Sequence, residues 1–161
     1  VWFLEQANTK LNQLLAAVAG GALVLMMLVT VGNMILRAVY VPFGATSEVV
    51  GWLAALTTAF ALGYTQLNRA HVTIDLVVER FPERWQSLAG SLMMLLSAVF
   101  FSTATWQVFL YAERLRNLGV LSETLRLPHY YLVYAVALGI ACLTLALAVD
   151  FVKLLAGVVK R

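Results

Sequence analysis

Two histidines, one cysteine and eight acidic residues are the whole stock from which this chain could assemble a catalytic or redox centre. His71 and His129 would have to converge to ligate a metal or a haem, since neither has a second plausible ligand at metal spacing. A whole apolar segment separates them, which puts them on opposite faces of any membrane the chain crosses. Both read as boundary residues that bond nearby backbone. Cys142 is alone, which excludes an internal disulfide and a CxxC redox pair, and it reads as a small apolar packing residue. There is no Ser-His-Asp set, no HExxH and no glycine-rich phosphate loop after a strand. These residues do not build an enzyme, and no metal, cofactor or catalytic residue is expected.

The elements that carry them explain why. Leu11–Leu36 (26 residues), Val49–Asn68 (20) and Trp85–Ala112 (28) contain no Asp, Glu, Lys, Arg or His. A fourth such stretch is Tyr130–Val149 (20 residues), or 23 residues from Leu127 if His129 is tolerated at the boundary. About 20 apolar residues in a helix cross a hydrocarbon core of ~30 Å, where helix is the default way to satisfy the backbone. The fold class expected is therefore all-α: one integral membrane domain over residues 1–161, with spans at about 11–36, 49–68, 85–112 and 127–149. Leu11–Leu36 is too long for a signal-peptide core and lacks a convincing basic flank, so it is expected to stay as a span.

Ionisable groups inside a bilayer are expensive and usually retained for proton relay, ion transit or ligand pairing. Their absence leaves this chain poorly equipped to move a solute by itself and directs the reading to a supporting subunit. Composition agrees, at 62% hydrophobic and 12% charged. The net charge of +3 is dispersed around the span ends, which fits topology and lipid headgroups and excludes nucleic-acid binding.

Lys and Arg number seven in the N-terminal segment, second connection and C-terminal tail, against four in the first and third connections. The positive-inside rule then puts both termini in the cytoplasm. Trp52, Trp85, Tyr111, Tyr130 and Tyr131 mark the span ends as interfacial aromatics. The connection Arg69–Arg84 fits a short interfacial helix between helices 2 and 3, ended by Pro82. In the first connection Pro42 and Gly44 supply turn chemistry, and Thr46 or Ser47 offers a cap for the second helix.

In lipid, small residues that let backbones approach matter more than apolar area. Gly51, Ala55, Ala59 and Gly63 recur every fourth residue and are the candidate packing and partner face. Thr30, Asn33, Thr57, Thr58, Ser97, Ser102, Thr103 and Gln107 read as interhelical hydrogen-bonding glue.

One family resembles this arrangement. Asn33-x-x-x-Arg37 closes a first span, Pro42 and Glu48 open a second, and Gly63 precedes Arg69-Ala-His71-Val-Thr-Ile-Asp75 and Phe81-Pro82. Ser122-x-x-Leu125-x-Leu-Pro128-x-x-Tyr131 approaches the fourth. In order and spacing these are similar to the small membrane subunit (the DctQ type) of tripartite ATP-independent periplasmic (TRAP) transporters. The chain departs where that family often has paired acids, here only Glu48, and an early proline in the fourth helix, here Tyr134-Ala-Val-Ala-Leu-Gly139.

The resemblance implies a scaffold in a bacterial or archaeal cytoplasmic membrane. It would brace a large elevator-type subunit (DctM type), to which sodium coupling would belong. A periplasmic binding protein (DctP type) would deliver an organic acid. On this reading Asn33, Arg37, Glu48 and Pro128 shape the outer turns, and His71, Asp75 and Pro82 the inner one. Arg114, Arg116 and Arg126, in the outer connection, are the candidate contacts for the binding protein. Two rival readings stay open: an autonomous small oligomeric transporter or channel, and a membrane anchor for a redox enzyme.

Overall fold

The computed structural model describes residues 2–67 and 83–155. They form four helices: α1 (Trp2–Val39), α2 (Thr46–Leu67), α3 (Glu83–Leu118) and α4 (Tyr130–Leu155). All four are long and apolar enough to cross a membrane. The all-α, four-span architecture expected from the charge-free stretches is the one observed. The expected interfacial helix, with His71, Asp75 and Pro82, lies outside the described residues.

Two helices outrun their charge-free stretches. α1 has 38 residues and α3 has 36, so at 1.5 Å per residue they are about 57 and 54 Å long. Charge ends an apolar run but not a helix, because Glu, Arg and Leu are all good helix formers. α3 therefore continues through Glu113, Arg114 and Arg116, which the sequence places in a connection. It stops at Gly119, whose φ of +61° suits glycine. Gly119 N–H donates to Arg116 O and Val120 N–H to Leu115 O, both at 3.2 Å, a Schellman C-cap. α4 starts at Tyr130, so Leu127, Pro128 and His129 belong to the loop before it.

α2 also begins differently from the capping expectation. Val49 N–H donates to Ala45 O, which makes Ala45 the first acceptor of the helix. The Thr46 hydroxyl, already inside the helix, donates to Phe43 O at 2.7 Å.

The helices pack in the spatial order α1, α2, α4, α3, with α1 also reaching α4. Leu15 and Ala19 of α1, Ala59 and Phe60 of α2 and Cys142 of α4 form the core of the first three. α3 packs extensively only on α4. Among its half-buried or buried residues, Met94, Ala98, Phe101, Thr105, Val108 and Ala112 alternate spacings of four and three and so share one face of the helix. The Thr105 hydroxyl meets that of Thr144 on α4 in a hydrogen bond of 3.3 Å.

Candidate functional site

A chain without catalytic groups acts through the surfaces and distances it holds fixed, so its site is where helices and loops are locked. Two places stand out: the close contact of α2 with α1 and α4, and the end that carries the connections 40–45 and 119–129.

The small-residue face of α2 is used over half its length. Gly51 is exposed with open space around it and Ala55 is half-buried, whereas Ala59 and Gly63 are buried. A Cβ on Gly63 would overlap the side-chain oxygen of Asn12 on α1, and would lie 3.6 Å from Leu143 N of α4. Ala59 meets Gly139 of α4 so closely that a Cβ on Gly139 would stand 2.7 Å from the Ala59 carbonyl oxygen. Three backbones thus approach where glycine or alanine faces each of them.

Asn12 and Gly139 are the residues that motif reasoning missed. Asn12 is 0% exposed. Its amide nitrogen donates to Asn8 O and Asn8 Oδ1, each at 2.9 Å. Its oxygen has no hydrogen-bond partner among the described residues and rests in the notch left by Gly63. A glycine Cα–H is a weak donor suited to that position. One turn onward, Gln66 Nε2 donates to Asp150 Oδ2 of α4 at 3.1 Å. The signal for Asn12 was available: it is a carboxamide just inside a charge-free span. Its partner was not, because helix facing is a tertiary fact.

Three of the in-span hydroxyls do less than the glue reading expects. Thr30, Thr58 and Thr103 donate to the carbonyl four residues back on their own helix. Thr57 does cross, to Ala19 O of α1 at 3.4 Å. A threonine can always find its own i−4 carbonyl, which outcompetes a distant partner unless packing brings one near.

At the loop end two side chains each hold a connection. The Phe43 amide donates to Asn33 Oδ1 at 2.7 Å, tying the first connection back to α1. Glu48 leaves its own turn and reaches the other connection, where Thr124 N and Leu125 N donate to its Oε2 at 3.0 and 3.2 Å. That loop is closed on itself by an antiparallel bridge between Leu121 and Pro128. Ser122 N donates to Leu127 O, and Leu127 N to Ser122 Oγ. Arg126, just before the paired Leu127, has φ +52°. Arg37 lies exposed in the last turn of α1, and Arg114 and Arg116 are exposed in the last turns of α3. The His129 ring meets Trp52 edge-on at 5.6 Å, which joins the start of α4 to α2.

Asn33→Ala is expected to free the Phe43 amide at a cost of about 0.5–1.5 kcal/mol. Hydrogen exchange at Phe43 should accelerate while exchange at Thr124 stays as it was.

The architecture and these motifs meet in one comparison. A family model described as "Tripartite ATP-independent periplasmic transporters, DctQ component" matches residues 26–157. The chain belongs to the DctQ family. No curated protein and no solved structure matches it significantly. As a DctQ component it is a small accessory subunit of a TRAP transporter, a multi-pass inner-membrane protein and not an enzyme. Among the described residues, no group of three or more His, Cys, Asp or Glu side chains is placed to hold a metal ion.

Proposed function

We propose that this DctQ chain is a stationary brace for a moving neighbour. Its partner is the large DctM-type subunit of a secondary-active, sodium-coupled TRAP symporter for organic acids in a bacterial or archaeal membrane. The observation that carries this reading is that all four spans are long while their packed interior is closed by Ala59, Gly63, Gly139 and Asn12. An interior in which a single added methyl collides has no room for a solute path. A scaffold needs none, only a fixed shape and lipid anchorage.

Both termini then face the cytoplasm, as the distribution of basic residues favours. The locked connections 40–45 and 119–129 face the periplasm. Arg114, Arg116 and Arg126 at that end would meet the DctP-type binding protein, and neutral substitution of all three should weaken its docking. Gly51 and Ala55, the part of the small-residue face that no helix of this chain covers closely, stay available to the large subunit.

Reconstitution separates this from the second reading, an autonomous small oligomeric transporter. Liposomes holding this chain alone should show no substrate uptake. Uptake should require the large subunit and the binding protein together. Flux with the chain alone would reject the brace.

A further inference from the structure

The four charge-free stretches do not lie side by side, because contacts between the helices fix their relative heights. His129, just before α4, meets Trp52 of α2, and Thr57 of α2 reaches Ala19 of α1. The start of α4 is therefore level with Trp52 and with about Val24 of α1. Thr105 faces Thr144 and Phe109 meets Tyr134, so the same level falls on α3 near Arg116.

From that level α1 stays free of charge for twelve more residues, to Leu36, about 18 Å further outward. The charge-free run of α3 has already ended at Ala112, about 6 Å inward. The inner end repeats the offset. A Cβ on Gly63 would meet both Asn12 and Leu143, so the run of α1 begins, at Leu11, near the level of Thr144. Val149 is level with about Ser97 of α3, whose apolar run reaches twelve residues further, to Trp85. From α1 to α3, both edges of the apolar band thus drop by about 24 Å.

α1 and α3 are the two ends of the row α1, α2, α4, α3, which at three helix spacings is about 27 Å wide. A drop of about 24 Å over that width is an incline of about 40°. A bilayer set square to the helices and matched to Tyr130–Val149 would strand apolar surface in water at both ends. Met34, Ile35 and Leu36 on the outer side and Leu92 and Met93 on the inner are all exposed by 45% or more. It would also draw the exposed Glu113 and Arg114 inside its outer edge.

An inclined row removes both penalties. Arg37, Glu113 and Arg114 then reach one water surface, with Tyr40, Tyr111 and Tyr130 as its interfacial aromatics. Lys10 and the first turn of α3 reach the other. A core of ~30 Å crossed at about 40° takes up about 26 helical residues. The charge-free stretches of α1 and α3 have 26 and 28. The two shorter stretches belong to the inner helices of the row, where the carboxylates at their ends are hydrogen-bonded. Glu48 accepts from the Thr124 and Leu125 amides, and Asp150 from Gln66.

We propose that this chain crosses the membrane obliquely, its row of helices inclined by about 40°, with lipid covering the outer end of α1 and the inner end of α3. The inference goes beyond the bracing reading and does not need it, since it concerns how the chain is seated and not what it holds.

The test is spin-label accessibility in the full chain, in phosphatidylcholine bilayers and in the assembled transporter. Cys142→Ala removes the buried thiol, and single cysteines replace Val31, Met93 or Arg114, all exposed positions. Oxygen partitions into lipid and a nickel chelate stays in water. Labels at 31 and 93 are expected to respond to oxygen and to lose all response to the chelate, which should reach the label at 114. Polarised infrared dichroism of the unsubstituted chain should give a mean helix inclination of about 40°. Chelate contact at 31 and 93 equal to that at 114, or a mean inclination below about 20°, would overturn the proposal. Labels at 31 and 93 shielded from oxygen and chelate alike would also overturn it, because protein and not lipid would then cover these ends. None of these results bears on the brace, which is tested by whether uptake requires the large subunit.

Discussion

Gly139→Ala is expected to destabilise the folded chain, although alanine is the better helix former by about 1 kcal/mol. The reason is the backbone of α2. A Cβ on Gly139 would stand 2.7 Å from Ala59 O, 2.8 Å from Ala59 C and 2.9 Å from Phe60 Cδ1. Two of those three atoms are main chain, so the helices must separate because no side chain can rotate away. Overpacking a close contact costs about 1–3 kcal/mol, which outweighs the gain in propensity. Separation would also loosen the core layer of Ala59, Phe60 and Cys142. Gly51→Ala and Gly20→Ala are the controls, since nothing lies within 4 Å of a Cβ at either position. There propensity acts alone, and a gain of up to about 1 kcal/mol is expected. Unfolding of the purified chain in mixed micelles, followed by circular dichroism, reads all three. A Gly139→Ala chain as stable as the controls would mean that α2 and α4 do not approach this closely.

The same contact shows what sequence can and cannot disclose in a membrane protein. Span number is legible because the bilayer imposes one length and penalises charge. Helix ends are less so: Arg114 and Arg116 are helical although charged, and what stops α3 is Gly119, not the end of an apolar run. Facing is the least legible. In a soluble helix the apolar stripe points inward, but here apolar residues point everywhere, and Leu28, Met34 and Phe100 are more than half exposed. The fourfold spacing of Gly51, Ala55, Ala59 and Gly63 marks a face without saying which half is used. That depends on Asn12 and Gly139, remote in sequence, meeting its lower half. Glu48 makes the same point at the loop end. Its position invites an assignment to its own turn, yet its partners are more than seventy residues away.

Removing the Glu48 carboxylate is therefore expected to release the loop 119–129 while the four helices stay folded. Thr124 N and Leu125 N both donate to one oxygen of this side chain, at 3.0 and 3.2 Å. Hydrogen bonds to a charged acceptor contribute about 1.5–3 kcal/mol, roughly twice a neutral pair. The next residue, Arg126, is held at φ +52°, a conformation that costs a side-chain-bearing residue about 1–2 kcal/mol. With the carboxylate gone, the bridge of Leu121 to Pro128 and the Ser122–Leu127 pair remain, and the edge-on contact of His129 with Trp52 still ties the end of the loop to α2, but the backbone amides of Thr124 and Leu125 lose their acceptor. In Glu48→Ala, exchange of the Thr124 and Leu125 amides should accelerate by about tenfold or more, since 1.4 kcal/mol is a factor of ten. Glu48→Gln keeps an acceptor oxygen and loses the charge, so it should fall between the two. Exchange within α2 and α4 should be unchanged, because their contact lies at Ala59 and Gly139, remote from the loop. If both amides stay protected in Glu48→Ala, the loop is held by its own bridge alone. Arg126 would then owe its position to local closure and not to the neighbouring hairpin. On the bracing reading that distinction matters, because a binding protein docks on a fixed charge at lower entropic cost than on a mobile one.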